Sequence, residues 1–132
     1  MNVKTEFFRL EVLETLMLVT SHGPWDDRVA RAYVQAVEQL ILSHYQGRPW
    51  AVLHDGRQWE LGTPEIQGIL SEHMGKKLTG TLTHVAYVCG PSLIKRWQVF
   101  GIAKPATAYE TRLFETLAEA EAWLASKGYT RS

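Results

Sequence analysis

"PWAVLHDGRQWELGTPEIQ", residues 49–67, carries the strongest structural signal in the chain. Its unbroken apolar segment Trp50–Leu53 is typical of a strand that is covered on both faces of a sheet. Asp55-Gly56 is a common turn pair, so the strand is predicted to end there and a loop to follow. Thr63 can cap a helix that has Pro64 at its first position. The segment therefore predicts one strand–loop–helix unit of an α/β domain.

Other segments of the chain show the same succession of strand and helix. The first two predicted strands are joined so closely that they must pair antiparallel. Helices are predicted after Asp26, Thr63, Ser92 and Thr116, and Thr116 has the spacing of a capping box with Glu119. The predicted strands cover residues 7–12, 15–21, 49–55, 83–89 and 107–114.

The resulting order is β-β-α-β-α-β-α-β-α. It predicts an α/β fold with a mixed, mostly parallel five-stranded sheet, flanked by four helices. The length of 132 residues fits a single domain over residues 1–132.

Composition narrows the classes of function. Acidic and basic residues balance at 14 each, which argues against a nucleic-acid-binding protein, since such proteins carry a basic face. Cys89 is the only cysteine, so no internal disulfide is expected and burial is its expected state. The chain shows neither the apolar core of a signal peptide nor a segment long enough to span a membrane. We therefore expect a cytoplasmic protein without an integral membrane segment.

Loops that follow parallel strands emerge at one edge of the sheet, where open α/β folds bind ligands. In this chain that edge, which we call the rim, is expected to comprise residues 22–25, 54–62 and 90–92. A binding site, if the chain has one, is predicted to lie on this rim.

Four rim residues are candidates for binding: Trp25, Asp55, Arg57 and Trp59. Tryptophan and arginine are both enriched among the anchors of binding surfaces. The alternative for Trp59, and equally for Trp25, is that the large ring packs onto the core. If the rim interpretation is correct, replacing both Arg57 and Trp59 with alanine weakens binding by at least roughly 1–2 kcal/mol and leaves the fold intact.

Catalysis is not predicted. A histidine such as His54 could act as a base near pH 7, with Asp55 to orient it. Adjacent strand residues point to opposite faces, however, so these two side chains are expected to diverge. The five histidines show no paired spacing of zinc ligands, and no metal or other cofactor is expected.

The element order and the terminal segment "LFETLAEAEAWL", residues 113–124, resemble the STAS-like family of the anti-sigma-factor-antagonist (SpoIIAA) type. The matching positions are Phe114, Thr116, Glu119, Ala120, Trp123 and Leu124. The resemblance implies a compact sheet flanked by helices and a non-catalytic regulatory domain that binds other proteins.

In regulatory members of that family, a phosphorylatable serine or threonine closely follows an aspartate at the start of the helix after the third strand. Asp55 occupies a comparable place, but the first hydroxyl after it is Thr63. Thr63 is therefore the candidate phosphoacceptor, and a plain helix cap is its favoured role.

Two classes of function remain open. One is a regulatory or interaction domain that binds a protein partner or a second copy of itself as a homodimer. The other is a carrier of a small apolar ligand or lipid, because related Sec14-like domains with a similar core bind lipids.

Overall fold

The computed structural model describes residues 2–60, 64–74, 81–103 and 109–131. Within them six strands form one sheet whose spatial order follows the chain. The first three strands are antiparallel neighbours, and the third to the sixth run parallel. The strands are β1 (Asn2–Lys4), β2 (Phe8–Val12), β3 (Leu16–Pro24), β4 (Trp50–Glu60), β5 (Leu82–Val88) and β6 (Glu110–Phe114).

Three helices occupy the connections between the parallel strands, and a fourth follows the last strand. Asp26 caps the first of them, because its side chain accepts a hydrogen bond from the backbone N–H of Val29. The helices are α1 (Asp27–Leu40), which continues into a π-helical turn (Ile41–Tyr45), α2 (Pro64–Met74), α3 (Leu93–Ala103) and α4 (Leu117–Ser126). The α/β class and the mostly parallel sheet are thus confirmed.

The sheet has one strand more than the five predicted. β1 pairs with β2 through a tight connection in which the Thr5 hydroxyl accepts hydrogen bonds from the backbone of Phe7 and Phe8. The sequence gives little sign of this strand because it is three residues long and lies at the sheet edge, where no alternation can develop.

Each face of the sheet has its own core. Trp50 and Val52 point to the face covered by α1 and α2, and Ala51 and Leu53 point to the face covered by α4. This alternation explains the unbroken apolar run in β4, since both of its faces are buried.

The prediction that β4 ends at Asp55-Gly56 is wrong. β4 continues to Glu60 because β3 is long enough to pair with it, Gly23 opposite Trp59 and Pro24 opposite Glu60. The register between the two strands shifts between Thr20 and His22, which accommodates the irregular segment. Residues 54–60 are therefore strand, and the rim begins beyond them on this side.

Candidate functional site

The ends of the parallel strands meet at one edge of the sheet, as expected, and α3 is tied to that edge. The Lys95 ammonium donates a hydrogen bond to the Arg57 carbonyl oxygen at 2.7 Å. A side chain at Gly90 would lie 3.8 Å from Cγ of Arg57. The structure therefore brings together the predicted rim segments that contain Arg57 and Gly90.

Arg57 and Asp55 form a two-point ion pair. The Arg57 Nε atom lies 2.9 Å from Oδ1 of Asp55, and Nη2 lies 2.8 Å from Oδ2. Partial burial disfavours the ionised Asp55, but the hydrogen bonds and charge of Arg57 outweigh it and lower its pKa. The charge of Arg57 is therefore balanced by Asp55 of the same strand.

Trp25 and Trp59 are not surface anchors, which corrects their predicted role. Only 3% of Trp25 and 1% of Trp59 is exposed, and their rings meet edge to face with centroids 4.9 Å apart. Because β4 continues through residue 59, its alternation carries the Trp59 ring to the face covered by α1 and α2. The core alternative for Trp59 is the correct one.

A buried polar pair lies next to these rings. The Ser21 Oγ atom lies 2.6 Å from Nε2 of His54, and both side chains are buried. The His54 ring stacks on Trp59 with centroids 4.9 Å apart and lies the same distance from Tyr87. Burial lowers the pKa of His54 to about 3, against a small opposing effect of Asp55, so the imidazole is neutral at physiological pH.

The geometry around His54 does not support base catalysis. His54 lines the face of α1 and α2 with Tyr33, whereas Asp55 faces the opposite side beside Leu117 and Arg131. The predicted divergence of His54 and Asp55 is confirmed. An imidazole with so low a pKa is a poor proton acceptor at neutral pH, and the Ser21–His54 contact is best described as a buried hydrogen bond between two strands.

A cavity of about 40 Å³ lies between the sheet and helices α1 and α2. Its walls near the start of β4 are mostly apolar and include Met17, Ile41 and Leu82. Toward the end of β4 they include His54 and Trp59. Trp50 and Trp59 both line the cavity, and the indole nitrogen of each is buried without a hydrogen-bond partner among the described residues. Sequence reasoning missed the cavity because a void leaves no pattern in the sequence.

Helix α3 carries the largest exposed apolar surface among the described residues. Four of its side chains form what we call the α3 face: Leu93, Ile94, Trp97 and Phe100, which are 80%, 74%, 75% and 58% exposed. Val99 on the other side of the helix is buried in the core. The sequence shows the apolar residues of this helix but cannot show that they point outward, since a core stripe has the same composition.

Thr63, the candidate phosphoacceptor and cap, lies outside the described residues; α2 begins at Pro64. Among the residues that are described, no three His, Cys, Asp or Glu side chains are grouped as metal ligands would be. Nor is any helix in that part of the chain long and apolar enough to cross a membrane.

Comparison with known protein families finds one that matches this chain. The SpoIIAA-like family matches residues 16–125, from the first residue of β3 to near the end of α4. The β1–β2 hairpin precedes the matched region. No curated protein matches the chain significantly. The match covers most of the chain and agrees with the observed sheet and helices, and the chain belongs to the SpoIIAA-like family.

Proposed function

We propose that this chain is a non-catalytic interaction domain that binds a protein partner through the α3 face. Membership of the SpoIIAA-like family supports a regulatory or interaction role. The single observation that carries the proposal is the exposure of four large apolar side chains on one helix. A contiguous exposed apolar surface of this kind is typical of interaction sites.

The α3 face has the features of an anchor surface. Trp97 lies in its middle, and tryptophan is among the residues that contribute most to protein–protein affinity. Buried Val99 and the Lys95 hydrogen bond to β4 hold the helix in one orientation, so little conformational entropy is lost on binding. Residues at positions 93, 94, 97 and 100 follow the spacing by which an amphipathic helix enters an apolar groove.

The charges near the α3 face indicate which kind of surface the partner presents. Lys95 and Arg96 lie on the same helix, and both are partly exposed. A complementary partner offers an apolar groove with acidic residues at its margin, because opposite charges at an interface margin favour association. The predicted phospho-switch at Thr63 is not part of this proposal.

Site-specific photocrosslinking in the native host tests the proposal. A benzophenone amino acid is placed at Trp97 in one variant and at Leu42 in the control. Leu42 is an apolar residue on the π-helical turn that is 50% exposed, so it matches Trp97 in character but lies outside the α3 face. We expect a discrete crosslinked protein with the first variant and none with the second.

The captured protein is then purified and its affinity is measured by calorimetry. Trp97→Ala should weaken binding about tenfold or more, the scale of an interface anchor, and Leu42→Ala should leave it unchanged. If the chain crosslinks only to itself and Trp97→Ala dissociates a dimer, the partner is a second copy. Equal crosslinking at both positions, or affinity that does not respond to Trp97→Ala, contradicts the proposal.

A further inference from the structure

We infer that a groove between α4 and the open part of the sheet binds a zwitterionic amino acid with an apolar side chain, whose carboxylate faces Arg9 and whose ammonium faces Asp55. The groove and the α3 face lie on opposite sides of the sheet, because Leu18 and Leu53 belong to the core under α4 and Val99 of α3 belongs to the other core. The inference is therefore independent of the protein-binding role proposed for the α3 face.

The groove exists because α4 covers only part of its side of the sheet. α4 packs against β4, β5 and β6, and the part of the same side that β2 and β3 form is left uncovered by the helices that the structure describes. A groove of about 250 Å³ lies along this boundary. Leu18 and Leu53 line it from the strands, and Leu117 and Arg131 line it from α4 and the segment after α4. The site is therefore concave, with a wall of strands and a helical wall.

The strand register places opposite charges across this groove. Arg9 of β2 pairs with Thr20 of β3, and Thr20 pairs with Asp55 of β4. Neighbouring strands lie about 4.8 Å apart, so the backbones of Arg9 and Asp55 are separated by roughly 10 Å. All three side chains line the groove. A cation thus lies on one side and an anion on the other, with a hydroxyl between them.

Arg9 and Asp55 can each bind a second group besides their partners in the chain. Arg9 reaches Oε1 of Glu11 at 2.8 Å through Nη2, and a guanidinium has five N–H donors. Asp55 accepts from Arg57, whose hydrogen bonds and charge outweigh burial and lower the Asp55 pKa, so this carboxylate is ionised at neutral pH. The Arg9 and Asp55 side chains are 51% and 22% exposed, so a solute can reach both of them.

The balance of charges selects a zwitterion. Among the described residues, the lining has two arginines, Arg9 and Arg131, and two carboxylates, Glu11 and Asp55. A ligand with one charge would therefore lie beside a group of the same sign, and such contacts are unfavourable. A molecule with both charges can place each of them next to its opposite. In an α-amino acid the two charged groups are attached to the same carbon, so the molecule fits between the two sides of the groove.

The side chain of the ligand is assigned by an adjoining groove. This second groove has a volume of about 260 Å³ and shares Leu53 and Arg131 with the first. Leu16, Leu124 and Tyr129 also line it, so it offers apolar contacts beside the polar row. Burial of apolar surface there favours an amino acid such as leucine over a small or polar one.

The test compares three ligands with closely related carbon skeletons. L-Leucine carries both charges, 4-methylpentanoate lacks the ammonium, and 3-methylbutylamine lacks the carboxylate. Each is titrated into the whole protein at neutral pH while nitrogen-15 NMR follows the assigned backbone amides. We expect saturable binding of leucine with shifts at Leu18, Thr20 and Leu53, and binding of each analogue that is weaker by about five- to tenfold or more, because one charged hydrogen bond is lost.

Arg9→Gln and Arg28→Gln form a matched pair of variants. Each arginine is paired with a carboxylate two residues away, Glu11 for Arg9 and Asp26 for Arg28, but Arg28 is on α1, away from the groove. Arg9→Gln should weaken leucine binding by about five- to tenfold, and Arg28→Gln should leave it unchanged.

Asp55→Asn is compared with Arg57→Gln in the same way. Both substitutions break the ion pair between these residues, but only the first removes a charge from the lining of the groove. Leucine binding should therefore weaken with Asp55→Asn and persist with Arg57→Gln, and circular dichroism checks that both variants are folded. Absence of saturable leucine binding overturns the inference, as does equal affinity for either analogue. Equal losses in the Asp55 and Arg57 variants, or in the Arg9 and Arg28 variants, overturn it as well.

Discussion

Ser21 and His54 join β3 to β4 through a contact of 2.6 Å between Oγ and Nε2, at the place where the register of the two strands shifts. Both side chains are buried, so each depends on the other for a hydrogen-bond partner. The pair holds the irregular part of β3 against the segment of β4 that leads to Trp59.

Ser21→Ala should therefore destabilise the protein. It leaves the buried Nε2 atom of His54 unpaired, at a cost of roughly 1–3 kcal/mol in the free energy of unfolding. Urea denaturation measures this cost. Ser43→Ala is the control, because Ser43 is exposed and bonds only to carbonyls of its own helix, and it should change stability by about 0.5 kcal/mol or less. Equal losses of unfolding free energy for the two substitutions would contradict a stabilising role of the Ser21–His54 hydrogen bond.

His54 should make stability dependent on pH. Its pKa is about 3 in the folded chain and near its ordinary value of 6.5 in the unfolded chain. Between these values the unfolded state binds a proton that the folded state does not, so stability is full above pH 6.5 and falls as the pH is lowered. The slope from this group is about 1.4 kcal/mol per pH unit.

Unfolding free energies at pH 6.5, 5.5 and 4.5 test this expectation against His54→Gln, which cannot be protonated in this range. The window stops above the range where Asp26 and Asp55, whose pKa values are lowered, begin to contribute. The His54→Gln variant should show a clearly shallower slope. A slope identical in both proteins would assign the pH dependence to other groups.

Single replacements of Trp59 and Arg57 should destabilise the protein to very different extents. Trp59→Ala removes a fully buried indole and should cost about 3–5 kcal/mol of stability. Arg57→Ala removes a half-exposed ion pair and should cost about 1 kcal/mol or less. Thermal denaturation of both variants measures the difference. A stable Trp59→Ala protein would restore the earlier expectation that the residue is dispensable to the fold.

The capping box at the start of α4 should contribute a measurable share of stability. The Thr116 hydroxyl accepts from the Glu119 backbone N–H, and the Glu119 carboxylate accepts from the Thr116 backbone N–H at 3.2 Å. Thr116→Ala should cost about 1 kcal/mol, and Thr116→Ser should be nearly neutral because the hydroxyl is kept. Chemical denaturation compares the two, and the prediction fails if serine is as destabilising as alanine.

Much of the fold could be predicted from local signals. The capping box of α4, the helix opened at Asp26 and the doubly buried strand at Trp50 each depend on a few adjacent residues, and each is confirmed. The burial of Cys89, expected from its apolar surroundings, is confirmed as well.

The site could be predicted less well than the fold, because its decisive contacts join residues that are far apart in the sequence. Asp55-Gly56 has the chemistry of a turn, and only pairing with a distant part of β3 keeps it in a strand. That pairing decides whether Trp59 is core or surface. The outward orientation of Trp97 likewise depends on where the rest of α3 packs, which its own spacing does not specify.

The order of the sheet has a consequence for how the chain folds. Every strand pairs with the strand that precedes it in the chain, from β1 to β6. Each newly synthesised β–α–β unit can therefore join a sheet that is already present, and no strand has to wait for a later segment to be inserted beside it. Such sequential pairing lets the amino-terminal strands assemble while the carboxyl-terminal ones are still being made.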